Sequence, residues 1–155
     1  MSSMTGRLEI FCCYAHRDQS HLLQLKNHLS LLLRLQLINN IWYDADISSG
    51  ADWEREIQKH LSNAQVILLL VSPDFMASDY CYDEEMVRAV ERHDRGEVTV
   101  IPIILRPFYA WQKAPFGKLQ ALPPGAKPIT DWPNRDKAFV AVASGIHRAI
   151  EERNS

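Results

Sequence analysis

Two short stretches of this 155-residue chain gather side chains able to do chemistry. The first runs from Cys12 and Cys13 through Tyr14 to His16 and Arg17, and the second holds Cys81, Glu84 and Glu85. A thiol becomes a nucleophile when a base stands beside it, but nothing in the sequence identifies a base for Cys81. A fixed carboxylate can stabilise positive charge that grows in a transition state, so Glu84 and Glu85 are the stronger candidates. The competing reading makes both of them ordinary solvated carboxylates, favoured near a helix N-terminus.

Other chemistries lack their signatures. The three cysteines are an odd set, and Cys12 and Cys13 adjoin each other in an apolar segment, which argues against a disulfide framework and for a reducing compartment. No CxxC pairs with the six scattered histidines, so no metal site is expected. No GxGxxG follows the first strand candidate, and neither GxxxxGK[ST] nor GxSxG occurs. A formal net charge of −2 provides no broad positive field, so nucleic acid is not an expected ligand. The apolar run Val66 to Val71 is far shorter than the ~20 residues of a membrane helix. Met1 to Arg7 lacks the apolar stretch of a signal peptide. No membrane association and a cytoplasmic location are therefore expected.

The elements that must position these residues alternate between β-like and helical patterns. At 46% hydrophobic and 23% charged, the composition suits one globular domain. Residues 1–7 are expected to be a disordered N-terminus, 8–152 the domain, and 153–155 a tail. Strands are expected at Leu8 to Tyr14, Ile41 to Tyr43, Val66 to Val71 and Val98 to Leu105, with a short fifth near Lys127 to Thr130. Pro102 argues that the fourth lies at an edge or a bulge. Leu22, Leu25, Leu29, Leu32 and Leu33 recur at helical spacing and predict a helix from about Asp18, as N-cap, to Gln36. Further helices are expected from Trp53, over Asp79 to His93, and over Asp136 to Glu152. The segment from Arg106 to Trp132, rich in proline, reads as loops. This βαβα alternation predicts an α/β fold: a flavodoxin-like, doubly wound, five-stranded and mostly parallel sheet with helices on both faces.

In such sheets ligands bind beyond the carboxyl ends of the strands, near the point where strand order reverses. The segments to search are Tyr14 to Asp18, Asp44 to Asp52, Ser72 to Glu85 and Arg106 to Phe116. At about 100° per residue, Tyr82, Met86, Val87, Ala89 and Val90 form an apolar arc, with Glu85 roughly 100° and Glu84 roughly 150° from its centre. Glu85 can then border a cleft while Glu84 faces water. A phosphorelay receiver would need acidic residues after the first strand and an aspartate ending the third, where this chain has Cys12-Cys13-Tyr14 and Val71-Ser72.

Ile10-Phe11-Cys12-Cys13-Tyr14 with Asp18 resembles the first-strand box of the TIR (Toll/interleukin receptor) domain. Ile41-Trp42-Tyr43-Asp44 with Ile47, Gly50 and Trp53 is similar to its second strand and following loop. Leu69-Leu70-Val71-Ser72-Pro73 with Ser78, Cys81 and Glu85 resembles its third strand and S-x-x-C…E helix start, and Val100-Ile101-Pro102-Ile103 its fourth strand. The likeness spans about Leu8 to Ile150.

The resemblance, taken to the NAD+-cleaving bacterial-type branch, implies an NAD+ nucleosidase that releases nicotinamide with ADP-ribose or a cyclic isomer in a signalling or immune pathway. NAD+ is then substrate, and no cofactor is implied. Glu85 maps onto the catalytic glutamate. The implied substrate-binding set is Tyr14, Ala15, His16, Arg17, Tyr43, Asp44, Trp53 and Cys81, with Trp42 a further stacking candidate and His16 or Arg17 a phosphate contact. Pro115 to Leu119 reads as a packed loop by default. The alternative is a non-catalytic module that only associates with other TIR domains. The resemblance also implies homotypic TIR–TIR self-association, open-ended if two different surfaces meet. Asp46, Ile47, Ser48, Ser49 and Gly50 form the implied assembly loop, which is polar, turn-rich and next to the predicted site. Replacing Ile47 or Gly50 with a bulky charged residue is expected to abolish self-association and NAD+ turnover together while the monomer stays folded. Light scattering and nicotinamide release on one sample check this, and full specific activity in a strictly monomeric variant overturns it.

Overall fold

The computed structural model describes residues 8–43 and 53–154. Residues 1–7, the loop 44–52 with Asp44, Asp46, Ile47, Ser48, Ser49 and Gly50, and Ser155 lie outside the described residues. So does the side chain of Trp53. The elements run β1 (Leu8–Cys13), α1 (Gln19–His28), α2 (Ser30–Arg34), β2 (Ile38–Trp42), α3 (Trp53–Asn63), β3 (Val66–Val71) and α4 (Pro73–Ala77). A π-helical segment, Tyr80–Met86, then leads directly into α5 (Val87–Asp94), followed by β4 (Thr99–Ile104) and α6 (Arg135–Asn154). No described helix is long and apolar enough to cross a membrane.

The four strands pair in parallel in the order β2-β1-β3-β4. All six residues of β3 are buried, as expected of an inner strand with both faces covered. Alternation sends Ile10, Cys12, Leu68, Leu70 and Ile101 to one face, against Leu22 and Leu25 of α1 and Phe139 and Val142 of α6. Phe11, Cys13, Ile67, Leu69 and Ile104 face the other way, against Ile57 and Leu61 of α3 and Ala89 and Val90 of α5. Each large apolar side chain so buried contributes about 1.5–3 kcal/mol. The predicted doubly wound arrangement is present.

The fifth strand expected at Lys127 to Thr130 is not found among the described residues. Ile129–Asp131 is a single 3-10 turn instead, behind Pro128. Pro123, Pro124 and Pro128 deny this stretch the donors of a ladder. What reaches the outer side of β4 is one isolated bridge between Ile103 and Leu122. The Leu122 N–H donates to the Pro102 carbonyl (2.8 Å), and the Ile104 N–H donates to the Leu122 carbonyl (2.9 Å). Pro102 therefore turns its backbone outward, where its missing N–H costs no bond to β3. On the same side the Val100 N–H is taken by His93 Nδ1 at 3.1 Å.

The first helix is interrupted where one continuous helix was expected. Leu29 adopts ψ near 0°, and the Ser30 hydroxyl donates to the Asn27 carbonyl at 2.7 Å, a local bond that competes with helical hydrogen bonding. Asp18 does not cap α1 with its side chain, because its carboxylate is engaged elsewhere. The 115–119 segment is packed: Phe116 is buried, edge-on to Phe75 and stacked with Trp111. A Cβ at Gly117 would lie 2.0 Å from the Gln112 carbonyl oxygen, so this approach requires glycine.

On α1, Nδ1 of His21 is buried with no hydrogen-bond partner among the described residues. Burial first, and then the positive charge of Arg135, lower the His21 pKa from 6.5. Between the lowered value and 6.5 the unfolded chain binds more protons than the folded one. The stability that His21 contributes is thus complete above about pH 6.5 and is lost as pH falls through its folded pKa. His21→Gln is expected to shrink the drop in Tm between pH 7.5 and 5.5. An unchanged drop would show that His21 is not the group responsible.

Candidate functional site

From β1 the chain moves out to β2 and then crosses back over β1 to β3, so strand order reverses between β1 and β3. Beyond the carboxyl ends of these two strands lies a cavity of about 330 Å³. Its walls are Cys12, Tyr14, Ala15, His16 and Arg17 after β1, and Asp74, Ser78, Tyr80, Cys81 and Glu85 after β3. A larger groove of about 700 Å³ runs along β4 and α6, but its charged residues, such as Lys118, Arg148 and Glu152, are exposed. The smaller cavity is the stronger candidate because it holds buried ionisable groups.

An ionic network reaches its wall at Asp74. Asp18, 1% exposed, accepts from the Ser72 hydroxyl at 2.5 Å and from Arg106 Nε at 2.9 Å. The other end of the guanidinium donates to Asp74. Ser72 Oγ in turn accepts the Phe75 N–H at 3.1 Å and so caps α4. Asp18 follows β1, Ser72 and Asp74 follow β3, and Arg106 follows β4, so one cluster ties three strand ends together. Burial opposes the charge on Arg106, yet the hydrogen bonds it donates to Asp18 and Asp74 hold its pKa above the usual value.

A second set of bonds brings Glu85 to the cavity. Ser78 Oγ accepts the Cys81 N–H (3.1 Å), and the Cys81 thiol donates to the Tyr14 carbonyl (3.3 Å), which seats the π-helical segment on the end of β1. Glu85 is only 4% exposed. Cys13 lies against it: burial first, then the negative charge of Glu85, push the Cys13 thiol pKa well up, and the two groups share a hydrogen bond. Glu84 points outward, half exposed, and pairs with Arg88 at 3.6 Å. A π-helix bonds each residue to the fifth along rather than the fourth, which brings Tyr80 and Glu85 to one wall. Such turns recur at functional sites, and an α-helical projection does not foresee them.

Of the residues singled out in the sequence, Tyr14, Ala15, His16, Arg17, Cys81 and Glu85 line one cavity. Tyr43 does not line it: buried, it packs edge-on behind Tyr14 with ring centres 6.1 Å apart, and Lys26 lies over its ring. Trp42 is directed away, stacked on His60 at 3.8 Å and donating from Nε1 to Glu9 at 2.7 Å. Asp44 lies outside the described residues, as does the side chain of Trp53. Cys12, Asp74, Ser78 and Tyr80 were not proposed as site residues. The last three fall within the Ser72 to Glu85 segment that strand topology marks, so type and position together could have found them.

Comparison with known proteins agrees with this fold. A family model for the TIR domain matches residues 10–139. The chain belongs to the TIR domain family. That family includes NAD+-cleaving enzymes and adaptor members. The uncharacterized protein y4lF of Sinorhizobium fredii is 51% identical over 140 residues, which cover 90% of this chain and 43% of the relative. The chain thus spans under half the length of that relative. Among solved structures, the TIR domain of the Toll-related receptor TRR-2 from Hydra magnipapillata shares 21% identity with a TM-score of 0.63. That alignment covers 92% of this chain and 97% of the other, and it supports the fold.

In this TIR domain, removing the cation from the Asp18 network leaves a buried carboxylate without its charge partner. Arg106→Gln is therefore expected to lower unfolding stability by about 3–5 kcal/mol. Asp74, 34% exposed, is replaceable: Asp74→Asn should cost less than about 1 kcal/mol. Urea unfolding with unchanged m-values checks both, and equal costs would refute the ranking.

Proposed function

We propose that this TIR domain cleaves the nicotinamide–ribose bond of NAD+, with Glu85 as the catalytic carboxylate. The supporting observation is a nearly buried glutamate forming part of a cavity wall. Burial of this kind needs a donor, which the Cys13 thiol provides, and a solvated helix glutamate would sit where Glu84 does. Burial also strengthens its field, because little water screens it.

The chemistry requires one such group. Glycosidases that expel poor leaving groups employ a second carboxyl group as an acid. In NAD+ the nicotinamide ring is already cationic. As the C–N bond breaks, its electron pair returns to the ring and neutral nicotinamide departs. Positive charge then develops on the ribose, and a fixed carboxylate beside it stabilises that transition state more than the ground state. Water adds to the anomeric carbon and loses a proton to give ADP-ribose; attack by an adenine nitrogen instead gives a cyclised isomer. Tyr14 and Tyr80 present aromatic surface to the ring, and exposed His16 and Arg17 stand at the rim where phosphates would pass. Self-assembly through the 44–52 loop activates the domain in this proposal, within a signalling or immune role.

Glu85→Gln is expected to lower nicotinamide release from NAD+ by a factor of about 100 or more, as removal of one stabilising group from a transition state does, whereas Glu84→Gln keeps most of the activity. Cys81→Ser should retain a substantial part of the rate, since a hydroxyl can still donate to the Tyr14 carbonyl. Chromatographic assay of nicotinamide checks all three, alongside circular dichroism. Loss in Glu84→Gln but not Glu85→Gln reassigns the catalytic residue, and complete loss in a folded Cys81→Ser brings the thiol into the chemistry.

A further inference from the structure

The network that meets the cavity at Asp74 holds more negative charge than its own balance needs. Arg106 is already neutralised by the buried Asp18 at 2.9 Å. Its second carboxylate, Asp74, leaves the trio with a net charge of −1, and an ion pair that is 28% and 34% exposed at its two ends is worth little to stability. Charge balance therefore does not account for Asp74. Position offers another account. Arg106 occupies only Oδ2, and among the described residues Oδ1 accepts no hydrogen bond. Asp74 also lines the same cavity as Glu85. A volume of about 330 Å³ is near the lower end for ligand pockets, enough for one sugar and one ring rather than a whole dinucleotide. Both carboxylates thus line a space that holds one sugar and one ring.

We propose that Asp74 is a ribose-binding residue whose free carboxylate oxygen accepts a hydrogen bond from a hydroxyl of the ribose that Glu85 attends, with Arg106 as the positioning residue that holds it. This rests on the reading of the cavity as the nicotinamide–ribose site. A carboxylate held at one oxygen and open at the other presents a fixed acceptor to a hydroxyl, which is how acidic side chains select ribose elsewhere. Hydrogen bonds to the sugar hydroxyl next to the reacting carbon also strengthen as oxocarbenium character develops. The bond thus favours bond cleavage as well as binding. Glu85 answers the cationic ring and its developing charge, and Asp74 answers the hydroxyls, so the two recognise separable features of one ligand.

Two probes separate them. Nicotinamide riboside carries both the cationic ring and the hydroxyls, whereas 1-methylnicotinamide carries the ring alone. NMR titration of the wild-type domain with each is expected to show binding of both. Asp74→Asn should weaken nicotinamide riboside by about 10- to 100-fold, the range for one hydrogen bond to a charged group, and leave 1-methylnicotinamide unchanged. Asp74→Glu keeps the charge but displaces the oxygen. It is expected to weaken nicotinamide riboside alone, and it serves if the asparagine variant does not fold. Equal weakening of both probes, or of neither, overturns the assignment of Asp74 while the cavity reading stands. Failure of the wild-type domain to bind either probe overturns the cavity reading and this inference with it.

Discussion

The ion pair between Asp18 and Arg106 is the constraint on which the cavity depends. Strand pairing aligns β1, β3 and β4, but it does not determine where the segments beyond them go. A buried carboxylate and a mostly buried guanidinium must meet, because either alone in that setting would cost several kcal/mol. Ser72 joins the same oxygen pair and starts α4, so the chain leaving β3 turns at a defined place. The direction of everything from Pro73 to Glu85 follows from that turn.

Glu85 shows the same logic from the opposite side. Its burial is made tolerable by a thiol beside it and by a helix seated on β1 through Ser78 and Cys81. The cysteines so near the cavity thus serve as small, weakly polar packing groups with donors aimed at a carbonyl and a carboxylate. Cys13, pushed toward its neutral form, adds no second negative charge next to Glu85.

Much of the architecture was legible because it rests on periodicity. An unbroken Val66 to Val71 announces an inner parallel strand, and the leucines of residues 22–32 announce a helical face. What was not legible depends on side chains competing for distant partners. Asp18 reads as a helix cap by its position, but its actual partners lie 54 and 88 residues away. The π-helical turn at Tyr80 is a local departure seated by tertiary contact with the end of β1, whereas the break at Leu29 goes with the local Ser30 bond to Asn27. The missing fifth strand is a different case: three prolines in the six residues 123–128 outweighed an apolar pattern too short to count. For the cavity, topology pointed to two of the segments that line it, and helical spacing together with the family resemblance set Glu85 apart from Glu84; Asp74 went unnoticed because nothing local distinguishes one aspartate after a proline from any other.

The outer margin of β4 has a consequence for how copies of this domain can gather. An exposed strand is a template on which another strand can grow, and unprotected margins of this kind lead to runaway aggregation. Here the sites that a newcomer would need are already spoken for. Val100 donates its N–H to His93, Pro102 has no N–H to donate, and Leu122 occupies the partners on either side of Ile103. On this flank the sheet cannot be continued from one molecule into the next. Any assembly of the domain there has to be made from side chains and loops, contacts that can be broken again and therefore regulated.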